Sequence, residues 1–347
     1  MKALKTLAKD LHPAYFAMVM ATGIVSITAD LQGMKAIAIA LFWLNILTFV
    51  ILWLITLVRI VWYPRNLFLD LIDHQRGVGF FTIVAGTCVL GSQFVMILES
   101  YQIATLLWCA GVFLWIFLTY MIFTGFTIKE DKPSLAEGIN GGWLVSVVAT
   151  QSISILGGLL VPHFESYQEH ILFFALSMWL WGGMLYIWMI SLIFYRYTFF
   201  NFSPSDLTPP YWINMGAMAI STLAGTTLIT NAPKSALLQE ILPFLKSFTL
   251  FFWATGTWWI PMLFILGIWR HIYKRFEFAY DPLYWGAVFP LGMYTTCTLQ
   301  LSKALGLPFL SEIPKYFIWV ALSAWTITFL GLLHSLVTRY FMMRQER

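Results

Sequence analysis

The sequence predicts an all-α integral membrane protein of ten transmembrane helices, built as five repeated helical hairpins. Odd helices are expected to form an inner pore ring and even helices an outer ring. Three observations predict this. Hydrophobic residues make up 60% of the 347-residue chain and charged residues 10%, with a mean hydropathy of +0.77; soluble domains carry about 25% charged residues. Ten apolar segments follow one another, each long enough to cross a hydrocarbon core of about 30 Å. Alternate segments carry clusters of small and hydroxyl residues, recurring about every seventy residues.

The predicted spans run over 13–30, 36–60, 77–98, 103–128, 141–161, 169–197, 211–230, 243–269, 282–304 and 314–340. Turn and capping residues separate them, as in Tyr63-Pro-Arg-Asn, Lys129-Glu-Asp-Lys-Pro-Ser and Ser203-Pro-Ser-Asp-Leu-Thr-Pro-Pro. No segment has the composition of a soluble domain or a low-complexity tail, so residues 1–347 form one transmembrane domain. Even spans are bulky, as in Leu41-Phe-Trp-Leu-Asn-Ile-Leu and Met178-Trp-Leu-Trp-Gly-Gly-Met. Odd spans read Met20-Ala-Thr-Gly-Ile-Val-Ser, Ala85-Gly-Thr-Cys, Ala149-Thr-Gln-Ser-Ile-Ser, Ser221-Thr-Leu-Ala-Gly-Thr-Thr and Tyr294-Thr-Thr-Cys-Thr. Small residues let helices approach closely, and hydroxyls prefer protein or water to lipid. The odd spans therefore belong inside.

Fifteen of the 20 basic residues fall on one side of the predicted membrane, among them Lys2, Lys5, Lys9, Arg59, Arg65, Arg76, Arg196, Arg270, Arg339, Arg344 and Arg347. Lys35, Lys234, Lys246, Lys303 and Lys315 fall on the other. The positive-inside rule then places both termini in the cytoplasm of a multi-pass cell (inner or plasma) membrane protein. The start, Met1 to Pro13, lacks a cleavage signature and reads as leading into an uncleaved first span.

The expected pore lining is Thr22, Ser26, Thr87, Thr150, Gln151, Ser154, Thr222, Thr226, Thr295 and Thr296. It holds no fixed charge. Coupled pumps usually place carboxylates or histidines at that depth, whereas here the acids sit at span ends. Hydroxyl donors and helix amides in a weakly positive frame suit an anion that enters and leaves easily. Gly23 and Pro290 are the expected kinks that turn backbone N–H groups toward the path.

The ninth span, Tyr284-Trp-Gly-Ala-Val-Phe-Pro-Leu-Gly-Met-Tyr-Thr-Thr-Cys-Thr-Leu-Gln300, is the one around which the chain is organised. Pro290 removes a helix hydrogen bond within it. Phe289 stands just before. From position alone, a ring that closes a narrow axis and ordinary helix packing both account for Phe289. Phe16, Phe81 and Trp143 hold similar positions near the starts of other odd spans.

Other chemistry finds less support. Cys88, Cys109 and Cys297 lack metal or disulfide spacing and read as small apolar fillers. The histidines are scattered, so no enzyme, cofactor or metal site is expected. Asp73, His74 and Arg76 are candidates for a cytoplasmic vestibule. No basic run suggests nucleic acid; the expected partners are the lipid bilayer and small inorganic or organic anions.

His12-Pro-Ala-Tyr-Phe-Ala-Met-Val-Met-Ala-Thr-Gly-Ile-Val-Ser26 resembles the opening of the tellurite-resistance/dicarboxylate transporter family. Pro210-Tyr-Trp-Ile-Asn-Met-Gly-Ala-Met-Ala-Ile-Ser221 and Trp285-Gly-Ala-Val-Phe-Pro290 carry the same resemblance. That family includes slow-type anion channels of plant guard cells, fungal malate and sulfite transporters, and bacterial tellurite-resistance proteins. The resemblance implies a pore within each protomer of a homotrimer, occluded by a phenylalanine of the ninth span, here Phe289. It implies a gated channel or uniporter for chloride, nitrate or similar anions; the alternative is a secondary transporter of C4-dicarboxylates such as malate, or of sulfite, with or without proton coupling.

Overall fold

The structure, a computed structural model, describes residues 7–345. Lys2, Lys5 and Arg347, which entered the charge count, lie outside the described residues, as do the side chains of Arg339 and Arg344. Among the described residues the protein is all-α. Its ten long helices are α1 (Ala17–Leu31), α2 (Lys35–Trp62), α3 (Phe81–Leu98), α4 (Tyr101–Ile128), α5 (Val145–Leu160), α6 (Gln168–Phe199), α7 (Ile213–Asn231), α8 (Leu242–Ile268), α9 (Trp285–Leu305) and α10 (Glu312–Gln345).

Each odd helix packs against the even helix that follows it, giving five hairpins. The odd helices also pack on one another in cyclic order, α1 on α3, α3 on α5, α5 on α7, α7 on α9 and α9 back on α1. Each even helix lies outside, against its own partner and the odd helix of the next hairpin. Burial follows this order: the most apolar window of the α5 span is 94% buried, that of α4 22%. The even helices therefore carry the exposed aromatic and aliphatic surface, such as Trp43, Phe113, Trp188, Trp258 and Trp319.

Nine helices among the described residues are long and apolar enough to cross a membrane, and α9 is not one of them. The expectation of ten apolar spans is corrected there. Glycine, proline and threonine lower the hydropathy of α9, and 15 of its 21 residues are buried against protein. A helix enclosed by other helices does not need an apolar surface.

A short 3₁₀ turn leads into each odd helix: Pro13–Phe16, Gly77–Phe80, Gly141–Leu144, Pro209–Trp212 and Pro282–Tyr284. These turns also pack on one another in cyclic order. Side chains cap three of them. His12 Nδ1 accepts from the Ala14 amide at 3.1 Å, Asn140 Oδ1 from Gly142 at 2.7 Å and Asp281 Oδ1 from Leu283 at 2.7 Å. Such caps satisfy amide groups that have no partner within the helix.

Candidate functional site

Two cavities are lined by residues of all five odd helices. The wider, of about 510 Å³, lies at their N-terminal ends. The first turns supply Ala17, Thr82, Val145, Ile213 and Gly286 to its wall. The narrower, of about 180 Å³, is lined by their later turns, including Ser92, Ser152, Thr226, Asn231, Thr296 and Gln300. Among the described residues no ionisable side chain lines the narrower cavity.

One turn of helix divides the two. Phe289 lines the wide cavity, while Met293, four residues on, lines the narrow one. On α1 the division falls between Met20 and Ile24, again four residues apart. Phe289 is 0% exposed and the other three are 1% exposed, so the four side chains at the division are packed among protein atoms. Among the described residues no other phenylalanine lines either cavity.

The wide cavity carries His12, Arg76, Glu137, Arg196 and Asp206 in its wall. Arg196 is committed to structure: it holds the Ala136 carbonyl at 2.7 Å, the Tyr211 hydroxyl at 2.8 Å and Asp206 at 3.4 Å. Burial pushes the Asp206 carboxyl up, but its bonds from Ser203 and the Arg196 charge outweigh burial and hold it below the usual carboxylate range. Arg76 differs. It shares the single carboxylate of Asp70 with Arg59, at 2.8 Å and 2.6 Å respectively. Arg59 is nearly buried and also donates to the Leu11 carbonyl at 2.9 Å, while Arg76 is partly exposed. Two guanidinium groups thus share one carboxylate, and of the two Arg76 is the one that reaches the cavity wall. Burial, with the Arg76 charge beside it, pulls the His12 pKa down from 6.5 to about 4, so the ring is neutral near pH 7.

Residues 10–333 match the voltage-dependent anion channel family. The chain belongs to that family. It is 27% identical over 332 residues to an uncharacterized transporter of Methanocaldococcus jannaschii, covering 94% of each chain. An uncharacterized membrane protein of Mycobacterium tuberculosis is 40% identical over 154 residues, 44% of this chain and 77% of that protein. A sulfite efflux pump of Trichophyton rubrum is 23% identical over 343 residues, 92% of this chain and 89% of the pump.

In this member of the voltage-dependent anion channel family, the ten expected lining residues are distributed unevenly. Thr226 and Thr296 line the narrow cavity. Thr296 Oγ1 also lies 2.7 Å from Thr28 Oγ1, joining α9 to α1. Five others turn toward even helices instead. Thr22 accepts from Trp325 Nε1 at 3.0 Å and Thr150 from Trp115 Nε1 at 2.8 Å. Ser26 donates to the Ala38 carbonyl at 2.8 Å, Gln151 to Trp179 at 3.1 Å and Ser154 to Ala175 at 2.7 Å. Thr87, Thr222 and Thr295 donate to carbonyls one turn back in their own helices. Much of the hydroxyl set thus fastens helices together rather than facing a cavity.

Gly23 lies within an uninterrupted α1, and Pro290 within an α9 that continues on both sides of it. A Cβ at Gly23 would come 2.5 Å from Val89 Cγ1. That glycine serves close packing, not a helix break. Phe16 packs edge-on against Phe49 and Trp53 of α2, Phe81 faces Phe123 of α4, and Trp143 donates to the carbonyls of His74 and Gly138. Of the vestibule group, Arg76 reaches the wide cavity, whereas Asp73 and His74 line a separate polar cavity with Lys129 and Lys132. Met20, Ile24 and Met293 were not singled out from sequence. Their signal was the shared four-residue spacing of Met20–Ile24 and Phe289–Met293.

Proposed function

We propose that this protein conducts small anions through the ring of odd helices, with the Phe289 ring as the closure between two cavities. The observation that carries the reading is the convergence of five helix N-termini on a cavity whose far end is Phe289. The positive end of a helix favours negative charge. Five such ends give the wide cavity an anion-attracting field, while Arg76 and Arg196 in its wall are matched in number by Glu137 and Asp206. The narrow cavity offers hydroxyls and amides but no fixed charge, which supports weak binding and rapid release. Chloride and nitrate fit those requirements.

The basic residues support a cytoplasmic wide cavity and cytoplasmic termini in a cell membrane. The family resemblance supports three protomers side by side, each with its own path, and Thr226 and Thr296 stay in the lining set. Pro290 keeps its role as the residue that weakens α9 beside Phe289, whereas Gly23, expected as a kink, takes the role of a packing residue.

The test is Phe289→Ala in planar bilayers under a salt gradient. Anion conductance is expected to rise by at least about tenfold, equivalent to removing a barrier of about 1.4 kcal/mol. Conductance at the unmodified level would overturn the assignment of Phe289.

The kinship with a sulfite efflux pump favours sulfite as a second cargo to assay. Proteoliposomes holding the protein and a pH gradient separate the mechanisms. Passive conduction equilibrates the anion; accumulation against its own gradient requires coupling to protons.

A further inference from the structure

Helix α9 is held between α7 and α1 by glycines on opposite sides. On the α7 side, a Cβ built at Gly216 would lie 2.6 Å from Pro290 Cγ, 3.0 Å from Pro290 Cβ and 3.3 Å from Pro290 Cα. On the α1 side, a Cβ at Gly292 would lie 3.0 Å from Ile24 Cγ2 and 3.2 Å from Val25 Cγ2. The two contacts differ in kind. Ile24 and Val25 present side-chain methyls that adjust by small rotations. Pro290 presents a ring closed onto its own backbone, so it cannot turn away without moving the main chain.

That main chain carries Phe289. Proline has no amide hydrogen, so the Gly286 carbonyl one turn earlier loses its usual partner and this turn of α9 is held less by the helix itself. Gly286 and Phe289 both line the wide cavity, and Met293 on the next turn lines the narrow one. The point at which α9 is internally weakest is therefore where it carries the closing ring. There, an outside contact fixes the backbone.

We propose that Gly216 is a positioning residue: its bare Cα forms a notch that seats the Pro290 ring and so holds Phe289 across the path. The inference rests on the reading of Phe289 as the closure. A methyl at Gly216 pushes Pro290 away from α7 and carries Phe289 off its position. The wall residues contributed by the other odd helices stay as they are.

The experiment is a double-mutant cycle on the full chain in planar bilayers, with Phe289→Ala alongside. Gly216→Ala is expected to raise basal anion conductance about tenfold when Pro290 is present and less than about twofold in a chain that already carries Pro290→Ala. The nitrate-to-chloride permeability ratio stays at its unmodified value, which a collapsed ring would not preserve. Pro290→Ala alone covers the case in which Gly216→Ala does not insert: it removes the ring atom seated deepest in the notch and is expected to raise conductance severalfold. Unchanged conductance in Phe289→Ala removes the closure itself and this inference with it. Raised conductance in Phe289→Ala, combined with a silent Gly216→Ala, a silent Pro290→Ala, or a Gly216→Ala effect independent of Pro290, overturns the positioning role alone.

Discussion

Trp325 Nε1 donates to Thr22 Oγ1 across 3.0 Å, joining the last helix of the chain to the first. The bond belongs to a series. Asn45 on α2 donates to Gln93 on α3 at 2.6 Å, and Trp115 on α4 to Thr150 on α5 at 2.8 Å. Trp179 on α6 donates to the Ser221 carbonyl of α7 at 2.9 Å, and Trp253 on α8 to Thr298 on α9 at 3.0 Å. Every even helix thus uses at least one side-chain donor to fasten the odd helix of the neighbouring hairpin. Inside a membrane there is no hydrophobic force between helices, so packing and such bonds hold the ring.

Trp325→Phe removes the closing bond while keeping a ring of similar shape. The Thr22 hydroxyl can then bond a carbonyl of its own helix, which limits the cost to about 1 kcal/mol. Thermal unfolding in detergent measures it. Trp319→Phe, on the exposed face of the same helix, is the control and should leave stability unchanged. Equal effects from the two substitutions would show that the indole bond contributes nothing specific.

Gly23→Ala tests the closest approach of α1 to α3. The new methyl would sit 2.5 Å from Val89 Cγ1, 3.0 Å from Asn45 Nδ2 and 3.1 Å from Gln93 Oε1. It therefore meets both partners of the buried amide pair as well as a core methyl. Overpacking of this kind costs about 1–3 kcal/mol. Adding Val89→Ala to Gly23→Ala removes the nearest atom, and the double variant should recover part of the lost unfolding temperature. No recovery would place the damage in the amide pair rather than at Val89.

The fold was legible because lipid imposes simple rules. Length, hydropathy and alternation of small with bulky residues were enough for ten helices in two layers. The site was legible only in part, since a hydroxyl in an inner helix has two uses. Thr296 faces a cavity and Thr150 faces a tryptophan, yet both sit in similar hydroxyl-rich sequence. Local composition does not say which side of a helix meets the axis. The wide cavity was harder still. Its charges come from loops and helix ends distant in the chain, as when Arg76 and Arg196 meet in one wall.

His12 makes stability depend on pH. Its folded pKa of about 4 lies below the ordinary 6.5, so between those values the unfolded chain binds a proton that the folded protein excludes. Stability is therefore complete above about pH 6.5 and falls as the pH drops, with a loss of about 3 kcal/mol near pH 4. Arg76, Asp281, Asp70 and Arg59 are the charged groups acting on the ring. His12→Asn keeps an acceptor for the Ala14 amide but does not titrate in this range. Unfolding temperatures compared at pH 7 and pH 4.5 should drop further for the unmodified protein than for His12→Asn. Equal drops would assign the acid sensitivity to other groups.

Arg76→Gln tests the field at the wide cavity. The substitution leaves Asp70 paired with Arg59 alone and removes one positive charge from the cavity wall. Anions arriving from that side then meet a weaker attraction, so current carried in that direction should fall by roughly two- to tenfold at low salt. Screening decides whether this is an electrostatic effect. The Debye length shrinks from about 10 Å at 0.1 M salt to about 3 Å at 1 M. The deficit should therefore shrink as salt rises, while current entering from the narrow cavity changes little. A deficit of the same size at both salt concentrations would mean that Arg76 acts by shaping the wall through its bonds to Asp70, and not by its charge.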